Sequence, residues 1–234
     1  MSSFKQRFRW VKEWGVYKYL STKRWQLIYR KRHRILERKG AVIMQTLNKI
    51  FAESGCEYWL EFGTLLGAIR DHGIISSDLD IDIATWHSNY KDIELEHKLK
   101  QYGFKKIREI AVDDGCFAIE ETYSFSGVRV DIFYCHRLDD KYCKCHAFAP
   151  EEGKTWEETK QEYGGLLTLE ITLPLTTFET YVFLGTEVLI PSNYVEQLTY
   201  HYGKDYLIPD PHWNYVKAYS TKIVNQKYGI ETLY

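Results

Sequence analysis

Apolar positions along the chain follow two periods, and the switches between them mark out the elements. From Ala41 to Ser54, Val42, Ile43, Leu47, Ile50 and Phe51 recur at helical spacing, and Gly55 closes that helix. Tyr58-Trp59-Leu60 reads as a short strand, and Thr64 to Arg70 as the first turns of a helix after a glycine. Leu79, Ile81 and Ile83 then alternate with Asp80, Asp82 and Ala84, the period of a strand. Asn89 to Tyr102 is a charged helix ended by Gly103. Four strand candidates follow, Phe104–Val112, Phe117–Phe125, Val128–Arg137 and Tyr142–Ala149, with turns at Ser126-Gly127 and Leu138–Lys141. Ile171 to Pro191 is strand-like again, and Tyr194 to Tyr202 is a helix stopped by Gly203. Helix, acid-bearing strand, helix and meander describe an α+β domain with a mixed or antiparallel sheet.

Composition adds exclusions. At 234 residues, 44% hydrophobic and 27% charged, the chain is a well-cored globular protein, not a disordered, fibrous or disulfide-built one. It carries no continuous apolar run of the roughly 20 residues that a membrane-spanning helix needs. No signal-peptide core is visible, so a cytoplasmic location and reduced thiols are expected.

Charge divides the chain in two. Residues 1–39 hold 13 Lys or Arg against two acids, a net of +11, while the remainder holds 18 basic and 30 acidic residues, a net of −12. The basic part is also aromatic: Phe4, Phe8, Trp10 and Trp14 share one arc of a helical wheel, and Lys5, Arg9 and Lys12 lie opposite. We therefore separate an amphipathic segment, residues 1–40, from a domain over residues 41–234. Rings at the headgroup level and cations on anionic lipid make residues 1–34 a candidate for contact with an anionic membrane surface. Packing on the acidic body of the domain is the alternative, and nucleic acid ranks below both.

The chemistry concentrates in Gly63-Thr64-Leu65-Leu66-Gly67-Ala68-Ile69-Arg70 and in Ser77-Asp78-Leu79-Asp80-Ile81-Asp82-Ile83. Asp80 and Asp82, two apart on a strand, project to one face, where like charges repel unless a cation lies between them. Hard oxygen ligands at this spacing suit Mg²⁺ or Mn²⁺, held by one or two carboxylates together with substrate phosphates. Asp131, within the apolar run Val128–Phe133, is the natural third ligand. A helix start at Gly63-Thr64 offers N–H groups to an anion, and the fork of Arg70 suits a phosphate. These parts compose a phosphoryl-transfer site.

At these positions the sequence resembles the LicD/fukutin family of the nucleotidyltransferase-fold superfamily. The resemblance continues through Val130-Asp131-Ile132-Phe133 and through Pro191-Ser192-Asn193-Tyr194, Leu198, Tyr202-Gly203 and Asp205-Tyr206, so that it runs from about Ala41 to Pro209. It implies a nucleotidyltransferase-like fold and transfer of a phospho-substituent, of the phosphocholine or polyol-phosphate type, from a CDP-linked donor. The acceptor would be a hydroxyl of a cell-surface glycan or lipid-linked saccharide precursor, built at the inner face of a membrane on which the protein is peripheral. Carried over by position, Asp80, Asp82 and Asp131 bind the metal, and Gly63 and Thr64 the donor phosphates. Asp78 and Asp131 are the candidates for the base that activates the acceptor. Where the family doubles an Asp, this chain has Asp78-Leu79, a departure that bears on acceptor choice.

Two other readings use the same residues. A nucleotidyltransferase acting on a nucleoside triphosphate would release pyrophosphate, not CMP. A non-catalytic subunit binding nucleotide or glycan would have little reason to keep three costly acids. Elsewhere, Cys135, Cys143 and Cys145, with His146, are weighed as a zinc site, but buried free thiols account for the spacing better. His72 reads as a surface turn residue and Asp113-Asp114-Gly115 as a hairpin turn. Glu120 and Glu121 point to opposite faces of a strand, which places one of them as a candidate to line the cleft, with solvent the favoured destination. The aromatics of the tail, among them Tyr202, Tyr206, Trp213 and Tyr215, are able to stack on a base or sugar but are expected mainly in the core.

Overall fold

A computed structural model describes residues 16–234, and their side chains from residue 26 onward. The amphipathic arc of residues 4–14 lies outside the described residues. The chain builds a mixed α+β architecture. Helix α1 (Val16–Ser54) leads into β1 (Tyr58–Leu60), α2 (Phe62–Arg70), β2 (Asp80–Trp86) and α3 (Ile93–Gln101). The meander β3 (Lys105–Val112), β4 (Ala118–Phe125), β5 (Val128–Arg137) and β6 (Tyr142–Ala149) follows. Then come α4 (Trp156–Tyr163), β7 (Leu166–Pro174), β8 (Phe178–Phe183), β9 (Thr186–Pro191), α5 (Tyr194–Tyr202) and β10 (Thr221–Leu233).

The ten strands join in the order β4-β3-β10-β7-β6-β5-β2-β1-β9-β8, and a further β4–β5 pairing closes the first six into a ring. Pairings are antiparallel except β2–β5 and β1–β9. Strand β5 holds the junction: β2 runs along one edge, and β4 then β6 share the other.

Burial follows the alternation. Ile81 and Ile83 of β2, with Val130 and Ile132 of β5, turn to one face of the sheet and pack with Leu36, Ile43, Met44, Leu47 and Phe51 of α1. That is the i, i+3/i+4 stripe read from residue 41 onward, extended back by two turns. The helix passes residue 40 without a break and, at 39 residues, reaches about 58 Å. Among the described residues, no helix is long and apolar enough to cross a membrane. On the opposite face a second apolar cluster forms around Trp59, Ala84, Phe133 and Cys135, and beside it Asp80, Asp82 and Asp131 gather.

Boundaries differ from expectation in three places. Helix α2 begins at Phe62, capped by Glu61, two residues before the expected start at Thr64, so Gly63 sits inside its first turn and does not precede it. Helix α3 starts only at Ile93, because Asp92 caps it through the Leu95 N–H (2.8 Å), and residues 87–89 form a separate 3₁₀ turn. Helix α4 and strand β10 are elements that the apolar pattern does not predict. Thr155 and Glu158 complete a capping box at the start of α4, and β10 is long, largely exposed and broken by a bulge between Ile223 and Tyr228.

Candidate active site

Strand register brings the acids together. In the parallel β2–β5 pair, Asp80 lies opposite Arg129 and Asp82 opposite Asp131. Strand β4 continues the row with Thr122 against Asp131, and β3 ends it with Arg108 against Thr122. Glu120 is two residues from Thr122 and so shares the face. With Phe62 and Gly63 of α2, these charged groups line a cavity of 440 Å³. Its other walls are aromatic, with Phe148, Trp156, Trp213 and Tyr215 beside His201 and Tyr202.

The cavity's polar groups are only partly satisfied. Arg129 Nη2 donates to Asp80 Oδ2 (3.0 Å), and Arg108 donates through Nη2 to Glu120 Oε1 (2.6 Å) and through Nε to Thr122 Oγ1 (3.2 Å). Asp131 Oδ1 and Arg129 Nε are buried without a hydrogen-bond partner. Arg108 Nη2 stands 3.9 Å from that Asp131 oxygen, beyond hydrogen-bond reach. Burial, reinforced by the charges of Asp80 and Asp131, holds Asp82 well above the usual carboxylate range. Burial and then Asp80 raise Asp131 likewise. Glu120 is pushed by burial to about 7, against the pull of Arg108. Buried, mutually repelling acids with an orphaned oxygen are costly as they stand, and a cation is the group that would relieve them. The donor set, carboxylate oxygens alone, is that of a hard divalent ion. Among the described residues no three His, Cys, Asp or Glu side chains already converge into a closed cage, since Asp80 is turned toward Arg129.

Helix α2 sets the edge of this cavity. Its cap, Glu61, is buried and accepts from Trp59 Nε1 (2.8 Å), the Phe62 N–H (3.3 Å) and Gln197 Nε2 (3.1 Å). Burial outweighs those donors and lifts Glu61 to about 7. A Cβ on Gly63 would lie 3.1 Å from both Asp78 Oδ2 and Asp82 Oδ2, a tight contact from which the two carboxylates would have to draw back by a few tenths of an ångström. Thr64 is buried behind the cavity, its hydroxyl accepting the Asp82 N–H at 2.8 Å. It ties α2 to β2 and does not line the cavity.

Arg70 and Asp78 stand elsewhere. Both line a second cavity, of 1150 Å³, on the other side of Gly63. Arg70 is engaged in a two-pronged pair with Asp71 (Nε–Oδ1 and Nη2–Oδ2, both 2.9 Å). Burial, with Asp80 next, raises Asp78 to about 6. The loop carrying Asp78 is held by α1: Tyr29 OH donates to the Ser77 carbonyl, and His33 Nδ1–H to the Asp78 carbonyl (3.0 Å).

Sequence reasoning misses Arg108, Arg129 and His201 as site residues; the solvent destination favoured for Glu120 and Glu121 is incorrect, as both are buried, and Glu120 is the one of the pair that lines the cavity. Arg129 is within reach of the sequence, because it is two residues from Asp131 on the same strand and so shares its face. Arg108 is not, since its place depends on long-range pairing. His201 lies 5.2 Å from the Phe62 ring, bonds Ser220 Oγ through Nδ1 (2.5 Å) and is kept neutral by burial, which lowers it to about 3. The three thiols Cys135, Cys143 and Cys145 are buried together among Trp59, Ala84 and Ile171. His146 follows Cys145 on the strand and so faces away from them, packing on Phe117. His72 is exposed at a turn.

The family described as LicD/FKTN/FKRP, nucleotidyltransferase domain, matches residues 55–193, from the start of β1 to the end of β9. An uncharacterized protein of Rickettsia typhi is 33% identical over 119 residues, covering 48% of this chain and 34% of its own length. The ribitol-5-phosphate transferase FKTN of Mus musculus is 25% identical over 194 residues, 77% of this chain and 36% of the relative. Its Homo sapiens counterpart is 26% identical over 187 residues, 74% and 33%. The chain thus spans about a third of the length of these curated relatives.

Proposed function

The chain belongs to the LicD/FKTN/FKRP family, and from that premise we propose that it is a divalent-metal-dependent phosphotransferase. It moves a substituted phosphate from a CDP-linked donor to a hydroxyl of a glycan or lipid-linked saccharide. The similarity to ribitol-5-phosphate transferases supports polyol phosphates as candidate groups. The observation that carries the reading is the opposition of Asp82 and Asp131 across β2 and β5, with Asp131 Oδ1 buried and unpartnered beside two arginines. The mixed sheet bearing these acids supports a nucleotidyltransferase-like fold.

In this account Asp82 and Asp131, joined by Asp80, hold Mg²⁺ or Mn²⁺, which supplies charge neutralisation at the donor phosphates. Arg108 and Arg129 are the cations placed to meet the remaining phosphate oxygens, and the first-turn N–H groups of α2 add donors at Gly63. The aromatic wall of Phe148, Trp156 and Tyr215 offers planar faces for the cytosine and ribose. The acceptor oxygen forms a bond to phosphorus while the bond to the CMP oxygen breaks. The hydroxyl proton passes to a carboxylate, for which Asp78, across Gly63 from Asp82, is best placed. Burial of neutral His201 keeps a further cation out of the balance.

The net charge of +11 over residues 1–39, with Arg30, Lys31 and Arg34 exposed on α1, supports contact with an anionic membrane surface where such acceptors are built. Deleting residues 1–34 is expected to abolish sedimentation with phosphatidylglycerol vesicles, and unchanged binding would contradict that contact. For the reaction, a panel of CDP-linked donors and nucleoside triphosphates is incubated with Mg²⁺ or Mn²⁺ and a membrane glycolipid extract. CMP from one donor, lost with EDTA, is the expected result. Pyrophosphate from a triphosphate would replace this reading with nucleotidyl transfer.

A further inference from the structure

Two cavities share a wall of three residues. Gly63, Tyr202 and Trp213 line both the 440 Å³ cavity that holds Asp82 and Asp131 and the 1150 Å³ cavity that holds Asp78. The Tyr202 and Trp213 rings, 4.5 Å apart, stand as the partition between them. At the gap in that partition, the built Cβ of Gly63 would touch Asp78 Oδ2 on one side and Asp82 Oδ2 on the other. The two carboxylates are therefore only a few ångströms apart, each in its own cavity. At that point a group in the larger cavity and a phosphate in the smaller one come within reach of each other.

The linings call for different occupants. The smaller cavity offers two arginines and carboxylates aimed at a cation. In the larger one Arg70 is already committed to Asp71, which leaves Lys204 against Asp78, Asp205 and Asp210. An anionic ligand is disfavoured by that balance. Ring faces from Tyr206 and Trp213, together with carboxylates that accept from hydroxyls, are the chemistry of sugar recognition. A volume of 1150 Å³ exceeds what a single small ligand fills, and suits more than one sugar unit.

We infer that the larger cavity is the acceptor site: it takes an uncharged stretch of glycan, stacked on Tyr206 and Trp213, and delivers one hydroxyl past Gly63 to the phosphate held at Asp82. The inference rests on the phosphotransferase reading and assigns its second substrate a place and a class. The residues that carry it lie mostly in the segment 203–213, outside the matched residues 55–193, so acceptor choice rests on the loop between α5 and β10.

The test uses Tyr206→Ala and Asp210→Asn, with Arg108→Ala in the smaller cavity as the contrast. Affinity for CDP with Mn²⁺ is measured by calorimetry, and transfer is measured against increasing glycolipid extract at saturating donor. Asp210 is exposed, so its variant guards against a folding failure in the other. Both larger-cavity variants are expected to raise half-saturation by extract at least tenfold while the CDP Kd moves less than twofold. Arg108→Ala is expected to do the reverse. An equal rise in CDP Kd for Tyr206→Ala and Asp210→Asn would assign the larger cavity to the donor and overturn the inference. Unchanged dependence on extract would overturn it too. A wild-type chain that binds no CDP and transfers nothing would instead overturn the phosphotransferase reading, and the acceptor site with it.

Discussion

Glu120 and Glu121 are neighbours on β4, both buried, and their surroundings could hardly differ more. Glu121 points away from the smaller cavity and sits in a finished network: Lys106 bridges it to Glu109, and the hydroxyls of Tyr134 (2.6 Å) and Tyr123 (3.1 Å) donate to its other oxygen. Glu120 points into the smaller cavity, where Asp80, Asp82 and Asp131 crowd around two arginines and one carboxylate oxygen has no partner. A buried acid that is fully paired belongs to the fold. A buried group of acids left short of positive charge and donors is waiting for something to bind. The contrast lets two similar glutamates be given opposite roles without reference to any relative.

The comparison can be broken most sharply from the cavity side. Asp82→Asn or Asp131→Asn is expected to cut turnover by about a thousandfold or more, while the melting temperature in EDTA stays the same or rises, because repulsion is relieved. A lowered metal-free melting temperature would mean that these acids are structural. From the other side, Glu121→Ala is expected to destabilise the fold by about 2–5 kcal/mol in urea denaturation, since it leaves the buried Tyr123 and Tyr134 hydroxyls without their acceptor and takes from Lys106 one of its two carboxylates. CDP affinity of the folded fraction should be unchanged. If Glu121→Ala costs less than the cavity variants in stability, the contrast fails.

Glu61 sharpens it further as an acid that is well bonded yet over-buried. Its folded-state value of about 7 lies above the ordinary 4.5. The folded form therefore binds the proton more tightly, and its contribution is present in full below pH 4.5 and lost as pH rises through 7. The difference amounts to about 3 kcal/mol. Stability of Glu61→Gln, measured against wild type at about pH 5 and pH 8, should lack that slope. Gly63→Ala is expected to lower turnover about 10- to 100-fold with little loss of stability, because the methyl forces Asp78 and Asp82 apart. Smallest is Thr64→Val, which removes the acceptor of the Asp82 N–H and should cost about 1–2 kcal/mol in stability.

Much of this arrangement is legible in the amino-acid sequence alone. Strands β5 and β6 and helix α5 begin and end where alternation and glycines place them, because their signals are local. Asp80 and Asp82 can be set on one face by period alone, and the β2–β5 register brings Asp131 to them. What is not legible depends on partners far along the chain. Arg108 reaches the site through the β3–β4–β5 pairing; Arg70 is the local exception, drawn off by the residue next to it. Strand β10 is mostly exposed and lacks an apolar period, so no pattern announces it. The division of Gly63, Asp78 and Asp82 between two cavities rests on α2 starting two residues earlier than the glycine suggests. One capping glutamate, Glu61, sets that start.

The most direct measurement is a calorimetric titration of Mn²⁺ into the wild-type chain and the Asp131→Asn variant, each with and without CDP. The account expects wild type to bind Mn²⁺, more tightly with CDP present, and expects the variant to lose at least tenfold in affinity in both conditions. Equal affinity of the two proteins for Mn²⁺ would contradict it, since the unpartnered oxygen of Asp131 would then have no ion to receive.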